Sequence, residues 1–594
     1  LKKTIITTIV DYDTDDNDEG FHLSDKFMSF TVDTGQLHSL EQTGFWTDPL
    51  PRYLATQLAP AHFRLGGTTA DYMKYEFPND DHGVNTDNNR KIHLRKQQNK
   101  LRMHGRSLEE EELQNRQDPS TSRLDSPRSP PPPPIPDIHP SHTMNMSSLT
   151  QVLEFAHDVG WDVVVGVNVV SDRDQRTNRW NSTHFQQLLN YTTNHNNNNN
   201  NKPRTIVGWE LGNEPSLKCM SENHTIAFGC HHAPPDYHGR QVPLITPQQL
   251  ANDYQLFSNI IHEHYNVDTN AIDSQVTTTV QNITTTTTTT TIKGGQQQQQ
   301  QRRQQQSQLQ SVQPPMIMGP DVTSTSFDRF GKPFLGNLSS SQTSLDVFTW
   351  HFYYGSHKDI VTATQFSQPH ILDRFLTNAI TIRDECLKNH SNIVREIWVG
   401  ETSSTYGGGT EGLSSSFVAG FMWLDKLGIA ANTQQSVVCR QVFAHAKYSV
   451  IDYNNRPNPD YWISVLWRRL VGSRVLSVRG GLDLNRIVRS YAFTCRDPLL
   501  GKTTIAILNT DSNPRSIEFD TLSGRNHDEE DSLSNNNNNN NNSSKQKTMI
   551  VYLLTSSKLE SHDIYLNGQF LELTEYNQLP TLAGQVVDSW TLTM

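Results

Sequence analysis

The run Ile206-Val-Gly-Trp-Glu-Leu-Gly-Asn-Glu-Pro215 stays largely apolar until it reaches Asn213-Glu214-Pro215, so a carboxylate stands where a buried strand gives way to a loop. Far downstream, Glu396-Ile-Trp-Val-Gly-Glu401-Thr-Ser repeats the arrangement. In a parallel α/β barrel, that end of a strand is where chemistry collects. Two glutamates so placed have the makings of a site that breaks a glycosidic bond. One carboxyl must be protonated to give its proton to the leaving oxygen, and the other ionised to attack the carbon, about 5 Å apart when configuration is retained. Taken singly, each glutamate reads as an ordinary solvent-facing carboxylate. The shared placement at two strand mouths, three strands apart, is what makes them a pair.

Such a pair can meet only if strands distant in sequence are neighbours in space. Short β-branched or aromatic runs over 27–33, 61–67, 161–168, 206–211, 316–322, 346–354, 396–401 and 437–443 supply eight candidate strands. Helical patterns over 50–58, 148–159, 183–191, 250–264, 370–389 and 415–427 fall between most of them. Alternating units of this kind imply parallel strands, and eight close into a (β/α)8 TIM barrel. Beyond 462–471 the pattern changes to short period-2 runs over 487–494, 503–509, 516–521, 549–554 and 564–573, with an Asn567-Gly568 turn signal. These predict an antiparallel β-sandwich. The strand at 4–10 is expected to join it, because a lone strand must pair somewhere. The expected organisation is an N-terminal sandwich strand in 1–20, the first part of the barrel in 21–78, and a disordered linker open to processing in 79–142. The rest of the barrel follows in 143–465, with low-complexity insertions at 194–202 and 277–313. The sandwich occupies 466–594, with an Asn-rich insertion at 525–546.

Composition narrows the function. The 594 residues include homopolymer runs of Asn, Thr, Gln and Pro that have no apolar face to bury, leaving material for one barrel-sized domain and one small one. A net charge of −12 argues against a general nucleic-acid binder. The basic stretch 90–106 reads as a solvated connection sooner than as a polyanion contact. Cysteines number five: Cys219 and Cys230 are close enough to bridge a loop, while Cys386, Cys439 and Cys495 have no evident pairing, and free thiols are an equal reading. Cys219, Cys230, His231 and His232 match no zinc spacing. Gly407-Gly408-Gly409 lacks the strand–loop–helix context and the Lys-Ser/Thr ending of a nucleotide loop. No metal or cofactor is therefore expected. Sequons at Asn145, Asn181, Asn190, Asn223, Asn282, Asn337 and Asn389 favour a secretory route, and no apolar run is long enough to span a bilayer. The chain opens on Leu1 without a signal peptide, so an extracellular or lysosomal location is expected after removal of a leader, unless the sequence is a fragment. Peripheral association with membrane or matrix stays open.

Main-chain amides of Gly407–Gly409 would suit a sugar carboxylate or sulfate. Trp350, His351, Tyr353 and Tyr354 offer rings for stacking on sugars, or alternate members turned into core. Trp209-Glu-Leu-Gly-Asn-Glu-Pro215, Trp398-Val-Gly-Glu-Thr-Ser-Ser-Thr-Tyr-Gly-Gly-Gly409 and Gly420-Phe-Met-Trp-Leu-Asp-Lys-Leu-Gly428 resemble the heparanases of glycoside hydrolase family 79, clan A. Phe63-Arg-Leu-Gly-Gly-Thr68, Asn178-Arg-Trp-Asn181, Arg440-Gln-Val-Phe443 and Pro459-Asp-Tyr-Trp462 extend the likeness across nearly all of the non-repetitive chain. The resemblance implies a retaining (β/α)8 enzyme, monomeric or a processed two-chain heterodimer, cleaving β-glucuronide bonds within heparan sulfate or a related glycan. It makes Glu214 the acid/base, its pKa raised by repulsion from Glu401, and Glu401 the nucleophile. It gives the Asn213 amide a hydrogen bond to the sugar 2-hydroxyl, and substrate contacts to Asp33, Thr68, Asn213, Lys218, His351, Gly407, Gly408 and Tyr448; Tyr353 joins them as a substrate-binding candidate from the ring wall. There are departures. The family's basic cluster after the linker is absent from 142–148, Thr and Ser follow Gly319-Pro-Asp-Val322 in place of an arginine, and Ala446 replaces a glycine. An exo-β-glucuronidase and a catalytically silent glycan binder are the alternative expectations.

Overall fold

The computed structural model describes residues 5–11, 21–77, 143–170, 172–174, 177–198, 206–218, 245–284, 314–478, 482–522, 549–587 and 591–593. The 79–142 linker, the Gln run, the 535–542 Asn run, Cys219, Cys230 and Asn223 lie outside them.

Met28–Asp33, Ala61–Gly66, Trp161–Val167, Ile206–Leu211, Met316–Thr323, Leu345–Phe352, Val394–Thr402 and Val437–Arg440 are parallel strands that close in this order into a barrel. The last pairs with the first, Val438 opposite Met28. Successive side chains point to opposite faces of a strand, and the sequence uses both. His62 meets the Trp398 ring inside the barrel, whereas its neighbour Phe63 packs with Phe155, Trp161 and Phe443. An apolar layer of Val164, Met318, Val347, Trp398, Val437 and Cys439 fills part of the interior. On Ala61–Gly66, Ile206–Leu211 and Met316–Thr323 stand Arg64, Glu210 and Asp321, each almost completely buried.

Two neighbouring strands need help where they diverge. Pairing of Ile206–Leu211 with Met316–Thr323 stops at Glu210 opposite Met318. There the Tyr254 hydroxyl, from helix Pro247–Thr284, donates to the Met318 carbonyl at 2.9 Å and accepts from Leu211 N–H at 3.3 Å, and so ties the backbones of both strands. A Cβ on Gly319 would collide with that hydroxyl. Helix Lys332–Ser341, after Met316–Thr323, gave no sequence signal, its Ser-rich end masking the apolar face of Phe334, Leu335 and Leu338.

The second element of the fold is a six-stranded sheet in the order Thr503–Asn509, Val488–Cys495, Val471–Val478, Ile5–Asp11, Ser516–Leu522, Thr591–Thr593. The N-terminal strand joins it as expected, antiparallel to Val471–Val478 and parallel to Ser516–Leu522. Strand polarity is not written in an apolar pattern, which reads the same in both directions. The 549–554 run is divided: Met549–Val551 pairs with Gln585–Val587, and Leu554–Thr555 with Tyr565–Leu566. Asn567 and Gly568, at φ +50° and +82°, make the expected tight turn. Cys386, Cys439 and Cys495 are free thiols.

Arg489 of the sheet bonds Asp425 and Asp373 on two barrel helices, and the Tyr491 hydroxyl donates to Asp425 at 2.6 Å. Gly428 faces the same ring: a Cβ there would lie 2.2 Å from Tyr491 Cδ2. Alanine normally gains about 1 kcal/mol over glycine inside a helix, but overpacking a closed core costs about 1–3 kcal/mol. With the Tyr491 ring pinned at its hydroxyl, the clash should win. Gly428→Ala is expected to lower stability in a urea titration, and a stabilised variant would show that the ring yields.

Candidate active site

Arg64 organises the interior. Its Nε donates to Glu210 at 2.7 Å, Nη1 to Glu401 Oε2 at 3.1 Å, and Nη2 to Asp321 at 2.8 Å and Asn213 Oδ1 at 3.1 Å. A guanidinium can do this because its donors lie in one plane with a fixed fork. Asn213 takes Arg64 on its carbonyl oxygen, so the side-chain amide is oriented by chemistry: a donor-only partner demands Oδ1.

Glu214 sits on a strained turn. Gly212, Glu214 and Asp321 all have positive φ, at +87°, +47° and +56°, conformations that cost non-glycine residues about 1–3 kcal/mol each. They are held: Asn213 N–H donates to Asp71 at 3.1 Å, and Glu214 N–H to the Asp321 carbonyl at 3.1 Å. The turn aims the Glu214 carboxyl at Glu401, with one oxygen of each within 4.8 Å and His351 beside both. Glu401 Oε1 accepts from the Tyr353 hydroxyl at 2.6 Å. His351 is buried, Nδ1 3.1 Å from Glu214 and Nε2 3.2 Å from Asp321.

Electrostatics separates the acids. Burial alone would lower the pKa of His351, but the charges of Glu401 and Asp321 outweigh it and raise the ring to about 10. Burial likewise pushes Asp321 up, yet Arg64 and His351 hold it far below the usual carboxylate range. Glu210 rises to about 8 because burial exceeds the pull of Arg64. Glu214 is raised, first by burial and then by the charge of Glu401, against hydrogen bonding from His351. The direction is the expected one, but repulsion is the smaller cause. Glu214, His351 and Glu401 have the composition of a three-ligand cation site. Their donors fit one poorly: both His351 nitrogens face carboxylates, which makes the ring a cationic donor, and Arg64 and Tyr353 already occupy both oxygens of Glu401.

Of the other expected residues, Asp33 and Tyr448 lie within the field of Glu401. Asp33 ends its strand, accepts from Gly35 N–H at 2.8 Å and from Thr69, and feels the charge of Glu401. Thr68 is exposed just before Thr69. Gly407 and Gly408 are exposed at φ +83° and +87°. A Cβ on Gly409 would lie 3.0 Å from Tyr448 Cβ, and Tyr448 in turn feels Glu401 and Asp33. Lys218 closes the turn Pro215–Lys218, and its side chain is outside the described residues. Of the aromatic wall, Trp350 and Tyr354 are core, against Phe375 and Phe352, while His351 and Tyr353 belong to the site. Arg64, Glu210 and Asp321 were missed as site residues. Their signal was available: a charged side chain inside a fully buried strand needs a partner.

A closed parallel barrel with acids at its strand ends is the architecture of the (β/α)8 glycosidases. The solved 4-O-α-L-rhamnosyl-β-D-glucuronidase of Fusarium oxysporum shares the fold, with a TM-score of 0.52, 13% identity, and coverage of 97% of this chain and 95% of that one. The family described as glycosyl hydrolase family 79, N-terminal domain, matches residues 247–428. Heparanase of Mus musculus is 27% identical over 94% of this chain and 86% of its own length. Hyaluronoglucuronidase of Hirudo nipponia is 30% identical over 46% and 53%. The chain thus matches glycosyl hydrolase family 79 over residues 247–428 and is similar to heparanase over most of its length.

Arg64→Met tests the hub. Removing one partner of a buried ion pair costs about 3–5 kcal/mol. Without Arg64 the neighbouring carboxylates should bind protons more tightly folded than unfolded, so stability is retained at low pH and lost as pH rises. Urea titrations at pH 5 and pH 8 are expected to show the larger deficit at pH 8, and equal deficits would rule the network out as its cause.

Proposed function

We propose that this protein is a retaining β-glucuronidase cutting within glucuronide-containing glycans, with Glu214 as acid/base and Glu401 as nucleophile. The observation that carries this is the approach of the two carboxyls to within 4.8 Å, since retaining enzymes hold theirs about 5–5.5 Å apart and inverting ones leave room for a water. In the first step Glu401 attacks the anomeric carbon while Glu214 gives its proton to the departing oxygen. In the second, Glu214 takes a proton from water, which displaces Glu401. Arg64 and Tyr353 hold the nucleophile in line, an ordering that lowers the entropic part of the barrier. The Asn213 amide, fixed by Arg64, presents its donor end for the 2-hydroxyl. The glucuronide reading draws on the name of the Hirudo nipponia relative, a hyaluronoglucuronidase, and on Gly407, Gly408 and Tyr448 as a place for a sugar carboxylate.

A weakly sulfated or unsulfated polymer is favoured over a heavily sulfated one. The turn Ser324–Ser326 after Asp321 is uncharged, and Lys447, next to Tyr448, is already paired with Glu411 at 2.6 Å. Exposed sequon asparagines at Asn181, Asn190 and Asn389 support a secretory route.

Two measurements test the assignment. Glu214→Gln should lower kcat/KM about 10²–10⁴-fold on a sugar leaving group and far less on a dinitrophenyl glucuronide, whose departure needs no proton. Glu401→Gln should lose both, and NMR of the wild-type reaction should show the β-anomer first; an α-anomer product would overturn retention. For pH, the working form has Glu214 protonated, so kcat/KM is retained below its pKa and lost as pH rises through it. Because that pKa is raised, the alkaline limb is expected above the ordinary glutamate range, and a limb at or below that range would count against Glu214.

A further inference from the structure

The strand carrying Glu401 is irregular at that point. Against Leu345–Phe352 its register slips between Val399 and Glu401, then resumes with Glu401 opposite His351 and Thr402 opposite Phe352. Pairing with Val437–Arg440 slips between Val399 and Thr402. Gly400 marks the place, since a Cβ there would lie 3.1 Å from Asp321 Oδ1 and 3.3 Å from Thr349 Cβ. A bulge bends a strand and leaves a residue outside the ladder, so the geometry beyond it has to be set by other bonds. Thr402 supplies one, its hydroxyl donating to the Phe352 carbonyl at 2.5 Å. Phe352 lies between His351 and Tyr353, the residues bonded to Glu214 and Glu401.

Lys426 lies directly behind this link. It projects from helix Ala419–Asn432, is almost wholly buried, and donates from Nζ to Thr402 Oγ1 and to the Ser403 carbonyl, both at 2.7 Å. The rings of Tyr354, Phe352 and Phe375 surround Nζ at 4.8, 5.5 and 5.8 Å from their centroids. Arg440 meets the same turn from the other side, donating to Ser403 Oγ at 2.7 Å and pairing with Asp460. The charged groups whose fields reach Lys426 are Arg440, Asp460 and Asp425. Burial and then Arg440 push its pKa well below the usual lysine value, yet both bonds need only N–H donors, which amine and ammonium each possess. A lysine with no solvent, no substrate contact and two bonds to the pair of residues after Glu401 is placed to hold that glutamate's strand end.

We propose that Lys426 is a positioning residue for the reaction: by fixing Thr402 and Ser403 it locks the strand past its bulge and sets the separation of Glu401 from Glu214. The inference rests on those two glutamates being nucleophile and acid/base. Lys426→Met keeps a chain of similar length among the rings and removes both donors. Thr402→Val breaks the tie to Phe352 while leaving the Lys426–Ser403 bond, and serves if the methionine variant is poorly folded. Displacing a reacting group by about 1 Å can cost about 10²-fold, so each variant is expected to lose on the order of 10–10²-fold in kcat, with KM on an aryl β-glucuronide changed by less than about threefold. The alkaline limb should move to lower pH, because Glu214 loses part of the repulsion from Glu401. The double variant should be no worse than the poorer single one. Crystal structures of wild type and variants read the carboxyl separation without any substrate, and an increase is expected. If wild type is inert but the separation grows, the functional reading fails and the positioning role stands. If the separation and the alkaline limb are unchanged in a folded variant, Lys426 is only structural and the proposal is overturned.

Discussion

A single guanidinium in the barrel interior is the constraint on which the rest depends. Arg64 has no route to solvent, so its charge must be met inside, and it is met by side chains from the strands that bear Glu210, Asp321 and Glu401 and by the turn that bears Asn213. Burying an ion costs several kcal/mol unless its partners are complete. Closing the barrel and assembling the site are thus one event, because a strand out of place leaves an unpaired charge. The apolar layer below cannot supply this specificity, since Val164, Met318 and Trp398 would tolerate small shifts that a forked ion pair would not.

Asp321 extends the hub to the second half of the site. It bonds Arg64 through one oxygen and faces His351 with the other, so the groups around Glu401 and around Glu214 share an anion. The two glutamates then diverge by surroundings alone. Glu401 has two donors on its oxygens; Glu214 has one, on a turn whose burial raises its pKa. Two like carboxyls take different roles because the fold surrounds them differently.

Much of this was legible in the sequence, for reasons that can be named. The barrel strands are dense in β-branched and aromatic residues, and both glutamates follow such runs directly. Less legible was whatever depends on a one-residue offset or on a neighbour distant in the chain. Thr69 bonds Asp33, a contact that only the turn after Gly67 decides. Trp350 and Tyr354 fall on the core face and His351 and Tyr353 on the other, as period-2 alternation requires, but the alternation does not say which pair faces inward. The hub itself was half visible. Arg64, Glu210 and Asp321 interrupt apolar strands, and pairing them needed the barrel order that brings Ala61–Gly66 across from Ile206–Leu211 and Met316–Thr323.

The proton balance bears on how the proposed cycle would run. Burial raises the pKa of both Glu210 and Glu214, which favours their protonated forms beside the ion pairs of Arg64 and His351. When Glu214 gives up its proton and Glu401 becomes esterified to the sugar, one negative charge appears as another is lost, so the net charge of the cluster is unchanged through the first step. Loss of the Glu401 charge also removes one of the influences that raised Glu214, while the bond from His351 now stabilises its ionised form. The residue is thereby turned from an acid into a base without any group moving. That change requires His351 to stay protonated throughout, which its position between Asp321 and Glu214 provides.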